Sequence, residues 1–251
     1  RIGIYARGLS ERSGGAKGYI YEITKALVEL IPAEDELFIF HNLDKSLFAK
    51  KKNVHEILLK SKLKLYADFV EAPLEIKKYN IDVMFFTKNV IPYFIKAKKV
   101  LTIHDLAYYM PQYDAYKFID TVYMKFMIKR SCKKADKIIA VSENTKNDLV
   151  KMLNVPKDKI TVVYEAVNLK YKKITDKKLL DSIKKKYNIK KPFIFYAGSI
   201  SPRKNIKRLV NAFSKISEEF NVELLITGNK LWKNETEMKM IKQNPRIRIL
   251  G

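Results

Sequence analysis

The chain has 251 residues, of which 47% are hydrophobic, and it carries a formal net charge of +23. This hydrophobic content supports a folded core and argues against an intrinsically disordered protein, while the length predicts one large domain or two smaller ones. No apolar run reaches the roughly 18 residues that a membrane-spanning helix needs. The single cysteine, Cys132, cannot form an internal disulfide, which favours a cytoplasmic location.

The positive charge is unevenly spread, because more than half of the excess falls after residue 168. Such a field attracts polyanions: nucleotide diphosphates, anionic lipid headgroups or nucleic acid. A lysine-rich proteome, with the lysines simply solvated, is the alternative explanation. A nucleic-acid-binding protein is disfavoured, because the aromatic residues fall at predicted core positions rather than on a stacking platform.

Short apolar runs alternate with amphipathic stretches in the first two thirds of the chain. This alternation is typical of an open parallel sheet with helices on both faces. The predicted strands are residues 2–5, 37–40, 83–86, 99–103, 137–141 and 160–163. The predicted helices are residues 19–29, 118–134 and 143–153, the last with Ser142 as its N-cap.

A second alternation follows a lysine-rich helical stretch at residues 176–187. Its predicted elements are strand 193–196, helix 206–213, strand 222–226, helix 235–241 and strand 247–250. The break between the alternations predicts two domains, residues 1–168 and 169–251. Three strands make a poor parallel sheet, because both faces of such a sheet must be covered. We therefore expect the second domain to be incomplete and the sequence to stop partway through it.

A glycine-rich loop lies between the first predicted strand and the first predicted helix. Gly14 and Gly15 would let backbone amides approach an anion, and the helix N-terminus adds favourable partial charge. The loop departs from the G-x-G-x-x-G pattern of dinucleotide-binding proteins. A flexible turn without a ligand is the alternative.

His104 and Asp105 directly follow a strongly apolar predicted strand. Ligands of open α/β sheets bind beyond the carboxyl ends of the strands, which makes His104 a candidate functional residue. A structural histidine with satisfied hydrogen bonds is the alternative for this residue taken alone.

The second alternation places glycines and cations where two of its strands end. Gly198 follows one strand, Arg203 and Lys204 precede the next helix, and Gly228 follows a further strand. Arginine and lysine suit a diphosphate whose negative charge grows as a glycosyl bond breaks. Two cations at a helix N-terminus oppose the helix dipole, so they indicate an anionic partner there. An ordinary basic helix start is the alternative.

Taken together, these segments resemble the large family-four group of retaining glycosyltransferases, which have the GT-B fold of two facing Rossmann-like domains. The order and spacing of the segments carry the resemblance, and it covers essentially the whole chain. The segments are Gly14-Gly15, Thr102-Ile103-His104-Asp105-Leu106, 135–143, Val155-Pro156 through 168, and Gly198 with Pro202-Arg203-Lys204-Asn205 and Ala212-Phe213.

The resemblance implies a nucleoside-diphosphate-sugar donor held mainly by the second domain and an acceptor held mainly by the first. It implies that Gly15 contacts the donor through its backbone and that His104 hydrogen-bonds the transferred sugar. Arg203 and Lys204 would neutralise the leaving diphosphate. Such enzymes use no metal cofactor, and this sequence contains no Asp-x-Asp motif. Loose similarity to mannosyltransferases suggests a hexose such as mannose, carried by guanosine diphosphate, for a glycan or lipid-linked acceptor.

One departure from the family pattern concerns the donor site. The family also uses two glutamates eight positions apart, after the segments present here, and no two glutamates of this chain have that spacing. A non-catalytic fragment that binds a sugar nucleotide or a protein partner is therefore the second hypothesis.

The predicted helix near residues 116–134 interleaves aromatic and basic residues. Such a helix can lie on an anionic membrane surface, which would place the protein peripherally at the inner face of the membrane. A helix packed on the sheet, with its lysines in water, is the alternative.

Overall fold

The computed structural model describes residues 1–9, 15–48, 51–61, 63–111, 116–168, 170–229 and 234–250. The chain forms two compact units. The first comprises Arg1–Tyr109 and Val122–Asn168, and the second comprises Met110–Thr121 and Leu169–Gly251. The division into an acceptor-side and a donor-side domain at residue 168 stays a prediction.

The first unit is built on a seven-stranded parallel sheet of order β3-β2-β1-β4-β5-β6-β7. Its strands are β1 (Ile2–Tyr5), β2 (Leu37–His41), β3 (Val54–Leu58), β4 (Val83–Phe86), β5 (Lys98–Ile103), β6 (Lys137–Ala140) and β7 (Ile160–Val162). Consecutive side chains of a strand point to opposite faces of a sheet, so both faces of this sheet need helices.

Helices cover both faces of this sheet. They are α1 (Ala16–Leu30), α2 (Lys64–Tyr66), α3 (Ala72–Lys77), α4 (Phe118–Lys134) and α5 (Glu143–Leu153), and a π-helical turn (Ala67–Glu71) joins α2 to α3. Ile20 and Val28 of α1 pack with one set of strand side chains. Ile76 of α3, Met127 of α4 and Leu149 of α5 pack with the other set. The predicted N-cap of α5 is confirmed, because the Ser142 hydroxyl accepts the backbone N–H of Thr145.

Two elements of the first unit lie outside the predicted set. β3 carries His55 and Glu56 within five residues and is exposed or half-buried at three of them, so its apolar signal is weak. The helical run of residues 64–77 contains Pro73 and a π-helical turn, which interrupt the usual helical spacing of apolar residues. The remaining predicted strands of this unit are present within one residue at either end.

The second unit contains a three-stranded parallel sheet of order β10-β9-β8. Its elements are α6 (Lys177–Lys186), β8 (Phe193–Ala197), α7 (Ile206–Glu219), β9 (Glu223–Thr227), α8 (Glu235–Gln243) and β10 (Ile247–Ile249). Ile206, Val210 and Phe213 of α7 form its core with the strands. The α7 helix extends six residues beyond the predicted end, because Ile216 continues its apolar stripe into a polar stretch.

The edge strand of this sheet is poorly covered. Phe193, Ile194 and Phe195 of β8 remain exposed, as do Leu179 and Ile183 of α6. Parallel sheets are normally buried on both faces. Within the described residues, the second sheet therefore lacks the second helical layer that the first sheet has.

Candidate functional site

The candidate site of the first unit lies at the carboxyl edge of the seven-stranded sheet. β1, β4 and β5 are neighbours there, and Arg7, Thr87 and His104 follow them in turn. The Thr87 hydroxyl donates to the backbone carbonyl of Tyr5 at 2.8 Å, which ties the ends of β4 and β1 together. This is the edge at which open α/β sheets bind ligands.

Both ring nitrogens of His104 face oxygen atoms. Nε2 lies 3.0 Å from the backbone carbonyl of Thr87, and Nδ1 lies 2.9 Å from Oε1 of Glu165. A carbonyl and a carboxylate are both acceptors, so N–H groups on both nitrogens would satisfy both contacts. The His104 side chain is 11% exposed, whereas that of Glu165 is 43% exposed. Thr87 is therefore the fixed partner of His104, and Glu165 is the partner that can move into solvent.

Tyr19 connects α1 to His104. Its ring meets the imidazole edge-on, with 4.8 Å between the ring centroids, and its hydroxyl lies 3.2 Å from the hydroxyl of Thr102. Burial raises the pKa of Tyr19 above its ordinary value. The first turn of α1 and the end of β5 thus form one contiguous surface.

Gly15 is the N-cap of α1 and has a φ of 62°. A Cβ added there would meet none of the described atoms within 4 Å. No acidic side chain lies in the first turn of α1. The Gly15 backbone and the α1 N-terminus therefore suit an anionic or sugar ligand. Gly14 lies outside the described residues.

Asp105, the neighbour of His104, has a local structural contact. One of its carboxylate oxygens accepts the backbone N–H of Ala107 at 3.0 Å. This contact fixes the turn that follows β5. The side chain at 105 thereby helps to hold the segment beside His104 in place.

Arg7 and Asp68 form a buried polar pair that sequence reasoning missed. The guanidinium of Arg7 lies 4.0 Å from the Asp68 carboxylate, which also accepts the hydroxyl of Tyr5 at 2.9 Å. Burial and the nearby Asp68 carboxylate raise the pKa of Tyr5 well above 10. Arg7 follows a strand end, which is a usable sequence signal. Asp68 gives no such signal, because it lies in the π-helical turn, a type of distortion found frequently at functional sites.

In the second unit, Gly198 and Gly228 lie side by side at the carboxyl ends of β8 and β9. The backbone N–H of Gly198 donates to the carbonyl of Thr227 at 2.9 Å. A Cβ on Gly228 would lie 2.0 Å from the carbonyl oxygen of Gly198, so only glycine fits at position 228. Gly228 therefore has a packing role that shapes the loop after β8.

Arg203 and Lys204 occupy a short 3₁₀ turn, Pro202–Lys204, directly before α7. Both side chains are exposed, and the first turn of α7 contains no acidic residue. Asn205 takes the left-handed conformation between the turn and the helix, with a φ of 56°. The sequence prediction that these cations stand at a helix start is confirmed, while their ligand stays a prediction.

Solved structures with the same fold cover the whole chain. A glycosyltransferase from Rickettsia africae matches with a TM-score of 0.65 and 22% identity, over 100% of this chain and 67% of that one. The Anabaena protein Alr3699/HepE, solved with UDP and glucose, matches with a TM-score of 0.68 and 15% identity, over 100% of this chain and 68% of that one. These neighbours are GT-B glycosyltransferases, so the predicted α/β, GT-B fold class is confirmed.

Two curated relatives are O-antigen chain mannosyltransferases. RfbU of Salmonella typhimurium is 28% identical over 164 residues, which is 65% of this chain and 41% of the relative. O-antigen chain mannosyltransferase B of Escherichia coli is 24% identical over 160 residues, which is 61% of this chain and 42% of the relative. The matched part of the chain thus spans about two fifths of the length of these relatives. The family model of Glycosyltransferase Family 4 matches residues 13–171, and the chain therefore belongs to that family.

Proposed function

We propose that this chain takes part in sugar transfer during polysaccharide biosynthesis, moving a hexose from a nucleoside-diphosphate-sugar to a glycan or lipid-linked acceptor. Membership of Glycosyltransferase Family 4 supports the reaction class. The two O-antigen chain mannosyltransferases among its relatives support polysaccharide as the product and mannose as the sugar.

The observation that carries this proposal is the pair of exposed cations, Arg203 and Lys204, in the turn that leads into α7. Cations at a helix N-terminus oppose the helix dipole, and an anion bound there offsets that cost. A leaving nucleoside diphosphate gains negative charge as the glycosyl bond breaks. Arg203 can bind its oxygens with two parallel hydrogen bonds, and Lys204 supplies a second positive charge.

His104 is the residue we assign to the transferred sugar. Its Nε2 is held by the Thr87 carbonyl, so Nδ1 is the nitrogen available to a sugar hydroxyl. Glu165 occupies Nδ1 at 2.9 Å and is 43% exposed. A bound sugar would therefore replace Glu165 at Nδ1, and Glu165 would hold the imidazole in its orientation until then.

Three finer features belong to the same proposal. Transfer proceeds with retention of the anomeric configuration, the reaction needs no metal or other cofactor, and GDP-mannose is the donor. The roles of Gly15, Gly198 and the loop that Gly228 shapes are to bring backbone amides close to this donor.

We place the reaction in the cytoplasm, at the inner face of the membrane. No described helix is long and apolar enough to cross a bilayer. The exposed face of α4 supports a peripheral contact, because Val122 and Phe126 are 53% and 61% exposed and Lys129 and Lys133 share that face.

Calorimetric titration with GDP-mannose, GDP and UDP-glucose tests the donor part of the proposal. We expect binding of GDP-mannose to the wild-type chain and at least tenfold weaker binding to the Arg203→Ala/Lys204→Ala double variant. The matched control is Lys184→Ala/Lys185→Ala, which removes two positive charges from exposed positions in the last turn of α6. Equal binding by both double variants, or no binding by the wild type, would contradict the proposal.

A non-catalytic sugar-nucleotide- or partner-binding role is the second candidate function. Arg203 and Lys204 can bind a diphosphate without any transfer step, and this is the observation that favours it. A transfer and hydrolysis assay with radiolabelled GDP-mannose separates the two functions. Binding without transfer and without donor hydrolysis would favour the non-catalytic role.

A further inference from the structure

Asn89 extends the hydrogen bonds between β4 and β5 beyond the end of β4. Its backbone N–H donates to the carbonyl of Thr102 at 2.9 Å, and its side-chain Oδ1 accepts the backbone N–H of His104 at 3.0 Å. In a parallel sheet, a residue normally makes both kinds of contact with its own backbone. At Asn89 the side-chain oxygen takes the place of the backbone carbonyl, so the pairing with β5 reaches His104, one residue past that strand.

The backbone conformation at position 89 restricts the residues that can make this contact. Its φ of 47° lies in the left-handed region, which glycine, asparagine and aspartate adopt most readily. Glycine would satisfy the backbone but has no side-chain acceptor for the N–H of His104. Asn89 is only 7% exposed, so its side chain is placed for this contact rather than for solvent. Asparagine and aspartate are therefore the residues that meet both requirements.

The loop that carries Asn89 is fixed to α4. The backbone N–H of Ile91 donates to the hydroxyl of Ser131 at 2.9 Å, and the guanidinium of Arg130 donates to the carbonyl of Ile91 at 3.0 Å. Ile91 and Ser131 are both almost completely buried. Asn89 therefore contacts His104 from a loop that buried contacts hold in place.

Two further groups fix the rest of His104. The hydroxyl of Thr145, in the first turn of α5, donates to the His104 carbonyl at 3.2 Å. The carbonyl of Thr87 lies 3.0 Å from Nε2 of the imidazole. With Asn89 at the N–H, three partners hold His104, and each of them is at most 7% exposed. Support of this kind keeps a binding side chain within about 0.5 Å of its working geometry.

We propose that Asn89 is a positioning residue, which holds the backbone of His104 and so sets the orientation in which Nδ1 meets the transferred sugar. The inference rests on the proposed function, because the sugar at Nδ1 is part of that function. Without Oδ1 of Asn89, the chain after β5 can shift and the imidazole loses its alignment, while the sheet stays folded. A purely structural role would lower stability and leave the discrimination between GDP-mannose and GDP unchanged.

Calorimetric titration with GDP-mannose and GDP measures the effect of Asn89 on ligand binding. Asn89→Gly keeps the positive φ and removes the acceptor, so it should weaken binding of GDP-mannose about tenfold and leave binding of GDP unchanged. Asn89→Asp keeps an acceptor oxygen and tolerates the positive φ, so it should bind both ligands within about threefold of the wild type. Asn154→Gly is the matched control, because Asn154 is exposed and has a φ of 53° at the C-cap of α5.

NMR of the His104 ring tests the positioning role without any ligand. The chain has three histidines, so a long-range ¹H–¹⁵N spectrum of the imidazoles is simple, and His104→Ala identifies the signals of His104. Asn89→Gly should change the Nδ1 and Nε2 shifts of His104, whereas Asn154→Gly should not. Unchanged signals of His41 and His55 would show that the first unit is still folded. The backbone amide of His104 should also exchange about tenfold faster in Asn89→Gly, because its acceptor is lost.

These measurements separate failure of the positioning role from failure of the proposed function. Unchanged ring shifts in Asn89→Gly would overturn the positioning role, and so would normal GDP-mannose binding or an equal loss of GDP and GDP-mannose binding in that variant. A loss in Asn89→Asp as large as that in Asn89→Gly would also overturn it, since the acceptor oxygen would then not be the cause. If the wild type bound neither ligand, the proposed function would fail, and the ring shifts and amide exchange would still decide whether Asn89 positions His104.

Discussion

Nδ1 of His104 lies 2.9 Å from Oε1 of Glu165, although 61 residues separate the two in sequence. Glu165 follows β7, and His104 follows β5, so the parallel sheet brings both residues to its carboxyl edge. The imidazole is largely buried, whereas the carboxylate is 43% exposed. A ligand can therefore displace the Glu165 carboxylate from Nδ1 of His104 with little loss of free energy.

Glu165→Gln should change the free energy of unfolding of the first unit by less than about 1 kcal/mol, because a contact made by a half-exposed carboxylate contributes little. His104→Ala should cost about 1–3 kcal/mol, because it leaves the Thr87 carbonyl without its hydrogen bond and removes the packing against Tyr19. Hydrogen exchange in urea, analysed separately for the two units, measures both changes in the free energy of unfolding. A cost for Glu165→Gln as large as that for His104→Ala would make the pair a structural one.

The proposed role of His104 makes a second prediction that concerns ligand binding. His104→Ala should weaken binding of GDP-mannose about tenfold, a change of about 1.4 kcal/mol, and leave binding of GDP unchanged. The reason is that the assigned contact is made with the sugar and not with the diphosphate. Calorimetric titration with both ligands checks this. An equal loss for GDP and GDP-mannose would show that His104 acts through the fold of the site.

Gly228→Ala should destabilise the second unit strongly. A Cβ there would lie 2.0 Å from the Gly198 carbonyl oxygen, and the φ of 141° is itself unfavourable for alanine. We expect a cost of about 3 kcal/mol, at the upper end for overpacking. Gly15→Ala is the control, because Gly15 also has a positive φ but an added Cβ would meet none of the described atoms within 4 Å, so we expect a cost of about 1–2 kcal/mol from backbone strain.

Hydrogen exchange of residues 193–227 measures the effect of Gly228→Ala on the second unit. Exchange of residues 16–30 measures the effect of Gly15→Ala on the first unit. A larger loss of protection in Gly15→Ala than in Gly228→Ala would contradict the packing role of Gly228. Weak exchange effects in Gly15→Ala combined with loss of GDP-mannose binding would support its assigned contact with the donor.

The strands of the sheet centre could be predicted because burial on both faces makes them short, continuous apolar runs. The runs at 2–5 and 83–86 coincide with β1 and β4. The edge strand β3 could not be predicted in this way, because its Glu56 faces inward to accept the backbone N–H groups of Leu47 and Phe48. From the sequence alone, a buried glutamate with a local structural role cannot be distinguished from a solvated one.

The sequence analysis placed His104, Arg203 and Lys204 after the carboxyl ends of predicted strands, and the structure has them there. The partner of His104 could not be predicted, because the contact with Glu165 depends on the packing of two separate loops. The conformation of Phe94 is likewise a tertiary result, since a positive φ at phenylalanine has no local sequence signal.

The thiol of Cys132 should stay unreactive in the folded protein. Burial raises its pKa to about 12, with Lys159 acting weakly in the opposite direction, so almost no thiolate is present at pH 8. Cys132 is also buried on the sheet side of α4. Ellman's reagent should therefore label it only after unfolding in guanidinium. Rapid labelling of the native protein at pH 8 would mean that α4 detaches from the sheet.

His41 should make the stability of the first unit depend on pH. Burial lowers the pKa of His41, with the nearby Glu56 carboxylate acting in the opposite direction. The backbone N–H of Leu43 donates to Nδ1 of His41, which requires that nitrogen to be unprotonated, so the folded state holds the neutral ring. The unfolded chain takes up a proton near the ordinary pKa of about 6.5, before the folded state does.

The His41 contribution is therefore complete above about pH 6.5 and is lost as the pH falls below it. Urea unfolding at pH 7.5 and 5.5, monitored by the labelling of Cys132 with 4,4′-dithiodipyridine, measures the free energy of unfolding of the first unit alone. His41→Gln should reduce the loss of stability between the two pH values, because glutamine cannot take up the proton. The same pH dependence in wild type and His41→Gln would assign the effect to the carboxylates instead.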